Sequence, residues 1–249
     1  MALYEYVRAA IFSVGTLPNN PIYDSLVAVN PDVNQGTVPE DLWPLGGVYV
    51  FPTVSSVLQV MSSSASDTAA GIGARTIKVS GLNNLYEPVT ETFTLNGLTV
   101  VTGLVSFFRV NHAQVITTGS SEVNVGNITI RTPSLNTLSY IESDTGQSRQ
   151  AIYTVRNNYV AVSTYIHAAM VSGGQAKDYA IFQLRSKVPG GSWITNQIIA
   201  PRNEGLGQIA YDPIVPVPFE AKTDIKIRVT YVDANNLFLS GSIQFLLWK

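Results

Sequence analysis

SSSASDTAAGIGARTIKVSGLNNLYEPVTETFTLNGLTVVTGLVSFFRVNHAQVITTGSSEVNVGNITIR, residues Ser62–Arg131, decides the fold class. Short runs of β-branched and aromatic residues recur between clusters of Gly, Asn, Asp and Ser, and that regular spacing predicts antiparallel strands joined by turns. From Thr76 to Ser80 the residues alternate, with Ile77 and Val79 on one face and Thr76, Lys78 and Ser80 on the other. Such a strand puts one side on a core and the other in water. Val89 to Leu95 repeats the pattern, with Phe93 and Leu95 on the face of Val89. Asn96-Gly97 tolerates the positive φ of a type I′ turn, which predicts a hairpin over Thr92 to Val101. Phe107 to Thr117 and Ile128 to Arg131 add strands, and no catalytic pattern lies anywhere in the stretch.

Toward the carboxyl terminus the same style returns. Gln150 to Val155, Tyr159 to Val171, Tyr179 to Arg185, Trp193 to Ile199, Ile214 to Phe219, Asp224 to Val232 and Leu237 to Trp248 read as strands separated by turn signals. Ala180, Phe182 and Leu184 oppose Ile181, Gln183 and Arg185. Ile225, Ile227, Val229 and Tyr231 oppose Lys226, Arg228 and Thr230. Pro216 and Pro218 confine their strand to a sheet edge, because proline cannot donate to a ladder. The polar segment Thr132 to Gln150, with a short strand at Tyr140-Ile141, predicts a domain boundary.

Toward the amino terminus, Val48 to Phe51 and Val57 to Met61 read as strands. Thr16 to Asp41 is rich in Pro, Asn, Asp and Gly. It suits either an arm that reaches a neighbouring subunit or a meander on its own domain, with room for a short strand at Leu26 to Val29. Met1 to Gly15 fits a strand or irregular arm better than a helix. The fold class expected is therefore all-β: two antiparallel β-sandwich domains, immunoglobulin-like or jelly-roll-like, with an extended N-terminal arm. The divisions are 1–40 for the arm, 41–132 for the first sandwich, 133–149 for a linker and 150–249 for the second sandwich.

Composition narrows the function. Charged residues make up 13% of the 249-residue chain, about half of the roughly 25% usual for a soluble domain. A surface poor in charge suits a protein that lives in an assembly. A net charge of −2, with no Lys/Arg cluster, argues against nucleic-acid binding. The absence of cysteine excludes disulfides and thiolate metal sites. Glu5 and Arg8 interrupt the amino-terminal apolar run, so no signal peptide is expected, and no window is long and apolar enough to predict a membrane helix.

No residue set spells out catalysis. His112 and His167 each stand in a predicted strand, and two histidines do not fill a histidine-rich zinc site. Gly71-Ile72-Gly73 reads as a turn. Glu87, Glu91, Asp212, Glu220 and Asp224 read as solvated loop carboxylates, not as a glycosidase pair. Asp67 reads as a turn residue bonding nearby backbone amides. The match of Asn127-Ile128-Thr129 to the glycosylation sequon matters only in a secretory pathway. Neither catalytic residues, a metal nor a cofactor is expected. Trp43, beside Pro44 and Gly46, is expected to plug a core, with carbohydrate stacking as the sharper alternative. Trp43, Trp193 and Tyr211 are the candidate interaction residues, should the chain act as a carbohydrate- or receptor-binding module.

One resemblance gives these observations a setting. GARTIKVSGL, ETFTLNG, FFRVNHAQVITTG and VNVGNITI, together with DLWPLGGVYVFP, DYAIFQLRSKVPGGSWITN and VPFEAKTDIKIRV, resemble a recurrent module of tailed-bacteriophage virion structural proteins, across most of Asp41 to Lys249. The resemblance implies a non-enzymatic building block of a virion assembled in the host cytoplasm. Its partners would be major capsid or tail proteins and copies of itself, with a trimer as the expected homo-oligomer, and no nucleic acid or membrane. A capsid decoration role is placed ahead of a tail- or fibre-associated one because low charge and short loops suit a tiled surface.

Overall fold

The computed structural model describes residues 21–171, 179–201 and 217–249. The reading of Met1 to Gly15 and the candidate Tyr211 lie outside them. In chain order the first strands are β1 (Ile22–Val33), β2 (Glu40–Asp41), β3 (Ser56–Ser62), β4 (Ala74–Leu82), β5 (Pro88–Thr94), β6 (Val101–Phe107), β7 (Arg109–Thr118) and β8 (Ile128–Arg131). There follow β9 (Thr137–Ile141), β10 (Ile152–Thr154), β11 (Val160–Val171), β12 (Ala180–Lys187), β13 (Ile194–Ile199), β14 (Val217–Phe219), β15 (Asp224–Val232) and β16 (Leu237–Trp248). Among the described residues there is no helix, and the paired strands form four antiparallel sheets.

Two compact units result. One joins the described residues up to Val48 with those from Ala151 to Lys249, and the other is Tyr49–Gln150. The second unit is thus an insertion into the first, which differs from the expected sequential division. The segment expected to be an arm contains β1, twelve residues long, paired along most of its length with β16 from Ile22↔Leu247 to Val33↔Leu237. The segment expected to be a linker contains β9, which pairs with β8 and buries Leu138 and Ile141. Both segments look polar in sequence, yet each sends apolar side chains into a core: Leu26, Ala28 and Val33 from the first, Leu138 and Ile141 from the second.

In the split unit one sheet has the order β1-β16-β11-β14 and the other β10-β15-β12-β13, with β2 on β15. Counting the eight main strands among the described residues of this unit, the orders are 1-8-3-6 and 2-7-4-5, the arrangement of a jelly roll. Inward residues of both sheets form one core. Tyr153 of β10 stacks on Phe245 of β16 at 4.8 Å, and Phe219, Phe182, Ile227 and Leu239 join the same cluster. The expected faces of β12 hold, with Ala180, Phe182 and Leu184 buried. On β15 the parity breaks once. The register shifts between Ile181 and Phe182, so Val232 turns inward and Tyr231 turns out to solvent. Pro218 does lie on an edge strand, β14.

The inserted unit has a sheet of order β6-β3-β8-β9 and a second of order β5-β4-β7, which share a core of Leu58, Val60, Ile77, Val79, Phe93, Phe107, Ile128 and Ile130. Val48 to Phe51 is irregular instead of a strand, and Tyr49 is held by its hydroxyl, which donates to Leu138 O at 3.1 Å. The hairpin expected over Thr92 to Val101 does not form. β5 pairs with β4, and β6 pairs with β3 in the other sheet, so the chain crosses between sheets at Asn96-Gly97.

The crossing still needs its glycine. Gly97 has φ +58°, a β-carbon there would lie 3.1 Å from Ala65 Cα, and Thr99 N donates to Asn96 O at 3.0 Å. Asn96 itself does not take positive φ, so the type I′ expectation is replaced by a turn with its left-handed residue at the first central position. Gly97→Val is expected to cost about 1–2 kcal/mol, read as a lower urea midpoint at unchanged m-value.

Candidate functional site

The expected candidates separate at once. Trp43 is buried, and its indole N–H donates to Gly46 O. Trp193 is half-buried at the entry to β13 and packs over Lys226, whose Nζ lies 4.4 Å from the ring centroid. His112 and His167 fall in different units. The first lies 3.5 Å from the Ser148 hydroxyl and the second stacks on Tyr165. Among the described residues no three His, Asp or Glu side chains gather in a way that holds a metal ion.

Trp193 leads to a charged group that strand alternation alone does not reveal. Lys226 and Arg228 stand on the outward face of β15, where sequence predicts solvated side chains, but Lys226 is almost wholly enclosed. β2 runs beside β15 and brings Asp41 opposite Arg228. Lys226 Nζ donates to Asp41 Oδ2 at 2.7 Å, and Arg228 Nε donates to Asp41 Oδ1 at 2.8 Å. Arg185 of β12 lies opposite Lys226 in the ladder. Burial holds the Lys226 ammonium below the usual lysine range against the pull of Asp41, and burial together with Arg228 lowers Arg185. Asp41 thus joins Lys226 and Arg228 on one sheet face, with Arg185 and Asp224 beside them on the same face. Sequence reasoning missed it because Asp41 lies 185 residues from Lys226, and nothing local announces such a pairing.

Two further carboxylates differ from the solvated-loop expectation. Asp224 is buried and accepts the Thr154 hydroxyl at 2.6 Å. Glu91 lies on β5 and its carboxylate accepts from Leu104 N at 2.6 Å and Val105 N at 3.2 Å. It thereby occupies two outward amides of β6, an edge strand whose Leu104 is 91% exposed. Gly103 leaves room for this contact, since a β-carbon there would sit 2.4 Å from the Glu91 oxygen. Carboxylates placed this way stop an edge from adding another strand. Glu91→Ala is expected to cost about 1–2 kcal/mol and to make the protein self-associate, which sedimentation at increasing concentration would read.

Asp67 bonds backbone amides as expected of it, but most of them are distant in sequence and the side chain is buried. It is fully buried and accepts from Ala74 N at 2.7 Å, Gly126 N at 2.8 Å, Val125 N at 2.9 Å and the Ser62 hydroxyl at 2.6 Å. Close by in sequence, Gly71-Ile72-Gly73 is a loop, as expected, and a β-carbon at Gly73 would lie 2.1 Å from Asp67 Oδ1.

No family model matches the chain. No curated protein matches it either, so the tailed-phage resemblance has no counterpart in these comparisons. Among solved structures, the chain is similar to the infectious bursal disease virus VP2 subviral particle at 11% identity and TM-score 0.23, over 97% of this chain and 77% of that one. It is also similar to T=1 particles derived from the same virus at 9% identity and TM-score 0.18, over 97% and 74%. A third similarity is to the Gx strain of that virus at 10% identity and TM-score 0.20, over 97% and 76%. Likenesses this distant carry no functional weight.

Proposed function

We propose that the chain is a non-enzymatic structural component of a virion, a decoration-type protein that binds assembled capsid subunits and copies of itself through its sheet edges. One observation carries this reading. Among the described strands β13 is the outer one of its sheet, and from Ser192 to Ala200 the chain has neither a charge nor a proline. Ile194 and Ile198 stand on it 61% and 60% exposed, and Asn196 is the single extra residue in its ladder with β12. A freely diffusing protein usually blunts such an edge with lysine, proline or a cover, whereas an assembly protein buries it against a partner. The jelly-roll order supports the reading by analogy of fold alone, since viral shell domains and lectins both use it. The tailed phage as the source of the particle rests on the sequence resemblance.

Electron cryomicroscopy of purified particles tests the proposal. Density for the two units on the head shell is the expected result. Density on the tail would move the chain to the fibre-associated role, and absence of the chain from particles would overturn the virion reading. Light scattering on the isolated protein should give a homo-oligomer.

A further inference from the structure

We propose that a second copy of this chain packs on the outer face of the β1-β16-β11-β14 sheet, sheet against sheet, through the same face of its own. The inward side of this sheet is fixed by the core, which takes Leu26 and Ala28 of β1, Ile243 and Phe245 of β16, and Ile166 and Ala168 of β11. The alternate residues therefore face out, and the ladder lines them up in rows. The first row crosses all four strands and is apolar: Tyr23, Leu246, Val162 and Pro218. Val160 and Trp248 pair beside it, and with Val162 and Leu246 they form a small cluster separate from the main core. In the next rows Ser25 lies beside Gln244 and Tyr165, and Val27 beside Ser242 and His167. Val29, Ser240 and Ala169 make the row after these. No Asp, Glu, Lys or Arg occurs in any of these rows.

The lack of charge is specific to this face. The other sheet of the same unit carries Arg185, Lys187, Asp224, Lys226 and Arg228 on its outer face, so the low charge of the whole chain does not account for it. A sheet face left in water ordinarily carries polar and charged residues of both signs. Depletion of charge with tyrosine and tryptophan retained is instead the composition of an interface core. The same property selects the occupant. A charged partner would have its charges desolvated against this face without a counter-charge. The counterpart face of another copy is uncharged over the same rows, and Ser25, Ser242 and Gln244 give it donors and acceptors for its own kind. Tyr23 and Val27, 58% and 50% exposed in the single chain, are apolar surface that such pairing covers. The size also fits. β1, β11 and β16 are each twelve residues long, and strands about 40 Å long and about 4.8 Å apart cover roughly 500 Å² before the relief of side chains is counted. A standard interface takes about 800 Å² from each partner, which is the same order.

This inference rests on the self-association in the reading above and adds a second surface to the β13 edge. Sedimentation equilibrium of the purified full chain tests it. The parent should associate, and Ser242→Ala should associate equally. Ser242→Lys should weaken association by about 100-fold or more, because a like charge enters the face of each copy. Diluted to monomers, Ser242→Lys should melt as the parent does, since the side chain points away from the core. Ile198→Lys, on β13, tests the edge separately. Association lost in Ile198→Lys and kept in Ser242→Lys would overturn the face and leave the edge reading standing. A monomeric parent would also overturn the proposal: the face would then belong to a segment of the same chain if Ser242→Lys melts lower, and to a different protein if it does not. Binding of the chain to particles, read by microscopy, is unaffected by either outcome.

Discussion

Asp67→Ala should be among the most destabilising single substitutions in the inserted unit, costing roughly 4 kcal/mol. The carboxylate is fully buried and collects three backbone amides and one hydroxyl from four places in the chain: Ser62, Ala74, Val125 and Gly126. Hydrogen bonds to a charged acceptor contribute about 1.5–3 kcal/mol each when formed, and an orphaned buried donor costs about 1–3 kcal/mol more. Those terms are not additive, because the loops relax once the hub is gone, so the expected total lies well below their sum. Asp67→Asn separates charge from shape. Its amide nitrogen would face donors, and it should lose about half as much. Urea unfolding gives both values, and hydrogen exchange should show the amides of Ala74 and Gly126 exposed first. A melting temperature unchanged in the alanine variant would show that these loops are held by something other than the hub.

The same hub shows where a local reading stops. A turn aspartate is expected to bond nearby amides, but Val125 and Gly126 lie 58 and 59 residues from Asp67, and nothing local announces them. Strand faces were legible, because the alternation that buries Ile77 and Val79, or Phe182 and Leu184, is a local property of the chain. Long-range pairing was not. β1 lies against β16, the first main strand of its unit against the last, and nothing in IYDSLVAVNPDV names that partner. The prolines and asparagines around β1 suggested an arm, yet Pro31 is tolerated where the ladder with β16 is broken between Asn30 and Val33. The insertion was hidden likewise, since two runs of similar strands read as consecutive domains whether or not the chain returns to its starting sheets. Tyr231 was assigned to the core because alternation cannot foresee a bulge, and one extra residue reverses every face beyond it. The ion cluster combines both difficulties. Lys226 and Arg228 were placed on the correct face of β15, but their burial depends on Asp41, which comes from the other side of the inserted unit.

Asp41→Ala should destabilise the split unit by about 3–5 kcal/mol at neutral pH, with a pH dependence that identifies the cause. Asp41 is fully buried and is the carboxylate bonded by both Lys226 and Arg228, so its removal leaves an enclosed ammonium without that counter-charge. Breaking a buried pair from one side carries this scale of cost, whereas replacing the whole pair by apolar groups is often neutral. Lys226 is already lowered from its ordinary 10.5, with burial the largest cause and Asp41 opposing it. Without Asp41 it falls further. Below the folded-state pKa the ammonium is charged in both folded and unfolded chains, and the full penalty applies. Between that value and 10.5 the unfolded chain binds more protons than the folded one, so stability rises with pH; above 10.5 both states are neutral and the Lys226 contribution vanishes. The gap between Asp41→Ala and the parent should therefore be widest near pH 7 and narrow toward pH 10, the remainder belonging to Arg228, which stays charged. Adding Lys226→Met to Asp41→Ala should recover a large part of the loss at pH 7 and flatten the difference between pH 7 and pH 10. A gap that stays constant over that range, with no recovery in the double variant, would mean that the cost comes from the lost β2 contacts and not from an uncompensated charge.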